Sequence, residues 1–397
     1  MQYLFNYPMK TAAALPAIVF LLAQLAAGQA PPTTSATVPA AADDKVPLAV
    51  KVENGIAWRD PVSWGVEGRG WTSGLARYYD RLPARAQTTV PGGVWYFSHE
   101  SAGMSVRFVT DAGSIHVRYR LSSPDLSHGW ADNANMSASG IDLYAQSPAA
   151  ASGKPVWRWV GGNKPTAQSG SDCLVNGLAP GRRPYQLNLP AYNGIESIEI
   201  GVPEGASFEP LAPRPDLPIV FYGTSIMQGG VASRPGLSIP AIVGRRLDRP
   251  VINLGFCGSG CMDAPVVELL AEIHAAAYVI DCGPNMIAEH LSQRTGPLVR
   301  RLREAHPDTP ILLVENHGHP SPELLPGATA YIHAGQAALR AEYDRLVNDG
   351  VKHLYYLPGK DLIGEDGEGT GDGIHPNALG MFRYADAYTA ALGAVLK

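Results

Sequence analysis

Several of the simplest functional readings are closed to this chain by what it has little of. Its 397 residues include only four cysteines, Cys173, Cys257, Cys261 and Cys282. Cys257 and Cys261 have no second Cys/His pair at ligand spacing, so no zinc site is expected. Charge is sparse: 17% of residues are Asp, Glu, Lys or Arg, and the formal net charge is −5. No basic stripe interleaved with aromatics is present, so no nucleic-acid partner is expected. Beyond residues 11–27, no apolar run is long enough to cross a bilayer. No internal repeat or low-complexity array is visible, which argues against a repeat architecture.

What is present points to a folded, loop-rich protein. Hydrophobic residues make up 45%, with 43 Gly and 34 Pro. The length favours two domains. Lys10 precedes the apolar stretch 11–27, and small residues follow at Ala27 to Ala30. This is the outline of a secretory signal peptide over residues 1–30. The stretch is short for a membrane anchor, and no basic cluster follows it. The protein is therefore expected to be secreted or periplasmic, with no membrane association after cleavage. Export permits disulfides, but the sequence selects neither a pairing nor the all-free state.

Residues 31–45, rich in Pro, Thr and Ala, read as a linker. From 46 to 210 the pattern is short β runs broken by turn residues, at 94–97, 105–109, 114–119, 141–144, 156–160 and 195–200. Apolar and polar residues alternate in several of them, as in half-buried antiparallel strands. A β-sandwich, of jelly-roll type, is expected. All seven tryptophans fall in this half, as core and edge packing or as platforms for sugar rings. Four prolines within 209–218 mark a boundary. Over 216–397, strand runs at 218–222, 251–256, 277–282, 310–315 and 353–357 alternate with helical patterns at 239–247, 264–274, 298–305 and 330–346. This is the pattern of a three-layer α/β/α domain around a parallel sheet.

In such a sheet, ligands bind beyond the carboxyl ends of the strands, and the reactive residue types fall there. Ser225 follows the first strand, Gly258 the second and Asn285 the third, while Asp372 and His375 lie beyond the fifth. A serine hydroxyl needs a base within hydrogen-bond reach, and His375 can serve. Asp372, three residues earlier in Asp-Gly-Ile-His-Pro, can fix the imidazole tautomer. The Ser225 N–H, the Gly258 N–H and the Asn285 side-chain amide are candidate donors to an oxyanion; Gly255 and Gly260 are alternatives to Gly258.

These blocks resemble the SGNH (GDSL-type) hydrolase family, with Ser225, Gly258, Asn285 and His375 at its four signature positions. The first block reads Gly223-Thr224-Ser225 where the family usually has Gly-Asp-Ser, and the third reads Gly283-Pro284-Asn285-Met286, without its usual final Asp. Both departures resemble a branch preceded by a domain with a Gly-x-Asp-Leu-Tyr signature, matched here by Gly140-Ile141-Asp142-Leu143-Tyr144. The resemblance implies a cofactor-independent serine esterase acting on short O-acyl esters, acetyl above all, of plant-type polysaccharides or their oligosaccharides. A lipase or thioesterase for longer chains, an acyltransferase to sugars and a glycan-binding protein with a vestigial esterase domain are the alternatives.

Further candidates border the same rim. Met227 and Gln228 follow the nucleophile, and Met286 follows Asn285; all three are expected to line the acyl site. His317, in Glu315-Asn316-His317-Gly318-His319, is expected on the active-site face as a substrate contact. The Glu-x-His-x-His spacing also admits a metal, although none is expected. Asp142 and Tyr144 are expected to hold the sandwich together.

Overall fold

Period-two burial builds the N-terminal half. The computed structural model describes residues 49–127, 135–147 and 156–396. The expected signal peptide and linker lie outside the described residues. Ten strands, β1 (Lys51–Glu53), β2 (Ile56–Arg59), β3 (Ser105–Thr110), β4 (Ser114–Leu121), β5 (Asp142–Ser147), β6 (Val156–Gly162), β7 (Ser169–Asn176), β8 (Arg183–Asn188), β9 (Ile195–Pro203) and β10 (Phe208–Leu211), form two antiparallel sheets. Their orders are β1-β2-β9-β4-β7 and β10-β3-β8-β5-β6. On β4, Ile115, Val117, Tyr119 and Leu121 are buried, while His116, Arg118 and Arg120 face outward. The buried set meets Val106, Phe108, Leu143, Tyr185 and Leu187 of the other sheet in one core. This is the expected β-sandwich.

The C-terminal half is the expected α/β domain. Five parallel strands, β11 (Ile219–Gly223), β12 (Val251–Gly255), β13 (Ala277–Asp281), β14 (Ile311–Val314) and β15 (Leu354–Leu357), pair in the order β12-β11-β13-β14-β15. Apolar residues run through both faces because both are covered. Val220, Tyr222, Leu254, Ile280 and Leu313 point into one core; Ile219, Phe221, Val279, Leu312 and Val314 point into the other. Of the eight helices among the described residues, α3 (Ser225–Gln228), α4 (Ile239–Leu247), α5 (Ala264–Leu270), α6 (Ala288–Ala305), α7 (Pro326–Asn348) and α8 (Ala378–Val395) belong to this half, and α1 (Gly92–Phe97) and α2 (Asn135–Ala138) precede it. The first core is covered by α5, α6 and α7, the second by α4 and α8.

Residues 94–97, expected to be a strand of the sandwich, form helix α1 instead. The Val-Trp-Tyr-Phe run has high strand propensity, but tertiary burial overrides it. Leu82, Ala86, Val90 and Val94 enter the first core of the parallel sheet, with Trp71, Trp95 and Phe97 against them. A segment between β2 and β3 therefore serves the α/β half. Arg81, fully buried, donates to the carbonyls of Phe97 (2.6 Å), Glu100 (2.9 Å), Asn253 (3.1 Å) and Gly255 (2.6 Å). The last two lie on β12, the edge strand.

The Gly-x-Asp-Leu-Tyr signature acts across the same boundary. Asp142, fully buried, accepts from Asn188 (2.8 Å) and from the Gly236 N–H (3.1 Å), and pairs with Arg234 at 3.2 Å. The Tyr144 hydroxyl reaches the Gly236 carbonyl (3.4 Å) and Arg234 (3.3 Å), and the Arg245 guanidinium lies 3.9 Å from the centre of its ring. The signature thus fastens the sandwich to the loop that follows α3, rather than only stabilising the sandwich. Arg214, in the proline-rich boundary, pairs with buried Glu67 at 2.8 Å.

Candidate active site

The strand order 2-1-3-4-5 places the end of β11 beside the point where the winding reverses, the usual ligand crevice of open α/β sheets. Ser225 begins α3 there, directly after β11. Thr224 caps this short helix, its hydroxyl accepting from the Ile226 N–H at 3.3 Å. That capping role explains how threonine stands where the family usually has aspartate.

Ser225 Oγ lies 2.8 Å from His375 Nε2. His375 Nδ1 lies 2.6 Å from Asp372 Oδ2. The other carboxylate oxygen, Oδ1, accepts from the backbone N–H groups of Ile374 (2.9 Å) and His375 (2.6 Å). Burial pushes the Asp372 carboxyl up, but the hydrogen bonds from His375 and its neighbouring backbone prevail and hold it at about 2. The aspartate stays ionised, so the tautomer with Nδ1–H is favoured and Nε2 is left as acceptor for the serine proton. Gly373, at φ +85°, makes the tight turn that brings Asp372 back onto His375.

The turn after β12 lies against the nucleophile's strand. A Cβ on Gly260 would sit 1.9 Å from the Gly223 carbonyl oxygen, so only glycine permits this approach. Within the turn, the Gly255 N–H donates to Asn253 (2.9 Å), Phe256 N–H to the Gly223 carbonyl (3.0 Å) and Cys257 N–H to Gln228 (2.9 Å). Ser259 and Gly260 both donate to the Phe256 carbonyl at 3.0 Å. The Gly258 N–H has no acceptor among the described residues, and its φ of +60° turns it out of this pattern. The Asn285 amide satisfies its surroundings when its oxygen accepts from Ser259 N–H (3.1 Å) and Gly260 N–H (3.2 Å), which leaves its nitrogen to donate. Gly258 and Asn285 follow β12 and β13, the two neighbours of β11. The alternatives Gly255 and Gly260 have their N–H groups engaged.

The structure brings together Ser225, His375 and Asp372, and sets Gly258 and Asn285 on the adjoining strand ends. The expected rim residues Met227, Gln228, Met286 and His317 are instead buried. Met227 is fully buried in the second core and Met286 is 2% exposed in the first. Met227 lies within α3 and Met286 just after the turn that follows β13, and each side chain packs inward. Gln228 is fully buried: its amide donates to Glu100 and to the Ala191 carbonyl (3.1 Å), and its oxygen accepts from Cys257 N–H. His317 is buried, and its Nε2 donates to the Ile374 carbonyl at 2.7 Å while its ring meets Tyr384 edge-on. Burial lowers its pKa. It buttresses the loop bearing Asp372 and His375 from behind. Glu315 accepts from Tyr356 and from Gly359 N–H (2.8 Å), away from His317. Among the described residues, no group of three His, Cys, Asp or Glu is arranged to hold a metal ion. All four cysteines are free, with burial pushing the Cys257 thiol up to about 12.

Residues that the sequence did not single out also reach the site. The Tyr192 hydroxyl, from the loop after β8, donates to the Ser225 carbonyl at 3.0 Å. Glu100 meets Gln228. No local pattern marks either residue, because each contact spans the two halves.

Comparison with known proteins settles the family. Residues 216–393 match the model of the GDSL-like lipase/acylhydrolase family, and residues 56–208 match that of the N-terminus of SGNH-hydrolase-type esterases. A solved protein from Bacteroides ovatus, described as a GDSL-like lipase, is 30% identical, with a TM-score of 0.77 over 86% of this chain and 98% of its own. The chain belongs to the GDSL-like lipase/acylhydrolase family. Two further structures share the fold with this GDSL-like acylhydrolase. The salicylyl-acyltransferase SsfX3 of a tetracycline biosynthetic pathway is 19% identical, with a TM-score of 0.60 over 87% of this chain and 92% of its own. A family two carbohydrate esterase from Cellvibrio japonicus is 14% identical, with a TM-score of 0.50 over 74% and 89%. No protein among curated relatives matches.

Proposed function

We propose that this acylhydrolase is an exported serine esterase that removes short acyl groups, acetyl above all, from O-esters of plant-type polysaccharides or their oligosaccharides. The continuous chain Ser225 Oγ, His375 Nε2, His375 Nδ1, Asp372 Oδ2 carries the reading. Ser225 Oγ attacks the ester carbonyl while His375 Nε2 takes its proton. Asp372 stabilises the imidazolium that results. The tetrahedral oxyanion is met by the N–H groups of Ser225 and Gly258 and by the Asn285 amide. Collapse expels the sugar hydroxyl, which receives the proton from His375, and leaves acyl-Ser225. Water, deprotonated by His375, then attacks the acyl carbon; release of the free acid restores the serine. No step calls for a metal or cofactor.

The sugar assignment is supported by the fold shared with a carbohydrate esterase, and export by the apolar stretch after Lys10. The test combines a fluorophosphonate label with substrate profiling. Wild type is expected to label at Ser225 and to release acetate from acetylated glycans, read by mass spectrometry. Ser225→Ala is expected to lose label and to lose activity by roughly 10³-fold or more, because the triad acts as a unit. On p-nitrophenyl esters, acetate is expected to outpace octanoate. A Ser225→Ala variant with several per cent of wild-type activity would overturn the triad, and a preference for octanoate would overturn the short-acyl assignment.

A further inference from the structure

The N–H pattern of the β12 turn raises the question of what holds Gly258 in place. The answer in the structure is a side chain from the nucleophile's own helix. Gln228 closes α3, three residues after Ser225, and its Oε1 accepts from the Cys257 N–H at 2.9 Å. Cys257 immediately precedes Gly258, so this bond fixes the peptide next to the one whose N–H faces the oxyanion. Both donors of the amide are engaged as well: its nitrogen donates to the Ala191 carbonyl at 3.1 Å and to the carboxyl of Glu100. Only one orientation of the amide gives all three bonds. If it flipped, nitrogen would face the Cys257 N–H and oxygen would face the Ala191 carbonyl, two repulsive contacts at once.

Glu100 is itself an unusual occupant. It is 5% exposed, and its backbone carbonyl is held by Arg81, which also grips the Asn253 and Gly255 carbonyls just before the turn. Burial pushes its carboxyl up to about 8 against the opposing pull of Arg81 and Gln228. An apolar residue would satisfy packing there without this desolvation penalty.

We infer that Gln228 and Glu100 are positioning residues for acyl transfer: Gln228 locks the Phe256–Cys257 peptide, adjacent to the one that carries the Gly258 N–H, against the helix that carries Ser225, and Glu100 locks the Gln228 amide. Neither touches substrate. The geometry of the oxyanion site is thereby set partly by a residue from outside the α/β half. This inference rests on the serine-esterase reading above.

The test is made on the full-length chain. Gln228→Met keeps the volume and removes all three hydrogen bonds. Loss of an oxyanion donor outright costs about 10²- to 10³-fold in kcat, so a displaced donor is expected to cost roughly 10- to 100-fold. KM for p-nitrophenyl acetate is expected to stay within about twofold, because the bond acts on the transition state. Affinity for a boronic acid, which forms a tetrahedral adduct on Ser225, is expected to weaken by the same factor as kcat/KM. Fluorophosphonate titration counts competent sites. A merely structural role would lower that count and leave each surviving site with wild-type kcat and boronate affinity, which would overturn the inference. From the other end, Glu100→Leu is expected to lower kcat at least about fivefold, and Glu100→Gln, which keeps a carbonyl for Gln228, to recover most of that loss. Equal effects of Leu and Gln at position 100 would overturn its part, and this pair also decides the matter if Gln228→Met fails to fold. Failure of wild type to label at Ser225 would sink the esterase reading itself, a different outcome from a wild type that labels and a Gln228→Met that keeps full kcat.

Discussion

The α/β half should not fold alone, although the family model matches it separately. A chain beginning at residue 216 would lack the segment that covers the first core. That segment contributes Leu82 and Val94, both fully buried, and Val90, 8% exposed. Burying one such side chain is worth about 1.5–3 kcal/mol, so these three alone supply roughly 5–9 kcal/mol. Trp71, Trp95 and Phe97 add to that, and Arg81 leaves two β12 carbonyls behind. Whole domains are stable by only about 5–15 kcal/mol. The deficit therefore matches the total, and the fragment is expected to be aggregated or loosely packed. Circular dichroism melts and dye binding decide it: the full chain should melt in one cooperative transition, and fragment 216–397 should show a broad or absent transition with exposed apolar surface. In the full chain, Leu82→Ala should cost about 2–5 kcal/mol, read as a lower denaturant midpoint with an unchanged slope. A fragment that melts cooperatively within a few degrees of the full chain, and hydrolyses p-nitrophenyl acetate at the full rate, would refute the argument.

Two further outcomes follow from the site and its surroundings. Gly260→Ala should lower kcat at least about tenfold and depress Tm by several degrees, because its Cβ would fall 1.9 Å from the Gly223 carbonyl oxygen and the turn bearing Gly258 must move; unchanged kinetics would show that the turn can shift freely. Stability should fall as pH rises between about 5 and 8, since burial pushes the carboxyls of Asp142, Asp281 and Glu100 up to about 6, 7 and 8. In that window the folded state binds more protons than the unfolded one, so the slope is negative. Asp281→Asn, which keeps an acceptor for the Tyr388 hydroxyl at 2.5 Å, should flatten the fall in Tm between pH 5 and 8; an identical fall in the variant would exclude Asp281 as a source.

The legible parts of this protein were those written in local pattern. The five parallel strands appear in the sequence as apolar runs because both faces of each are covered, and Ser225, Gly258 and Asn285, each just past a strand end, lie at the crevice, whereas His317 after β14 is buried behind it. Strand β4 is legible because Ile115, Val117, Tyr119 and Leu121 alternate with polar residues. What was not legible depends on distant partners. Val94 to Phe97 has the composition of a strand, yet its neighbours in space lie on β12 and the helices beside it, and it is a helix. β7, with Gly170, four exposed residues and only Leu174 buried, lacks the apolar alternation that would announce it. Met227, Gln228 and Met286 stand next to the reactive residues in sequence, but α3 turns Met227 and Gln228 inward and Met286 packs into the first core. Glu100 and Gln228 are 128 residues apart, and nothing around either one signals the other.

The cation on the edge of the hydrolase sheet also bears on how molecules of this protein meet one another. β12 terminates the sheet, and an outer strand with unpaired carbonyls is a template on which a second chain can lay a strand of its own. Here two successive outward carbonyls, those of Asn253 and Gly255, are already occupied by Arg81. A guanidinium has donors but no acceptor, so it completes the strand chemically while offering an incoming backbone N–H nothing to bind. Growth of the sheet from one molecule into the next is blocked on that side by Arg81 together with the segment around it, where a Cβ on Gly103 would fall 2.4 Å from Asn253 Cβ. Replacing Arg81 would therefore do more than loosen the core: it would strip the donor from two carbonyls of the sheet's edge and leave only the overlying segment to guard it.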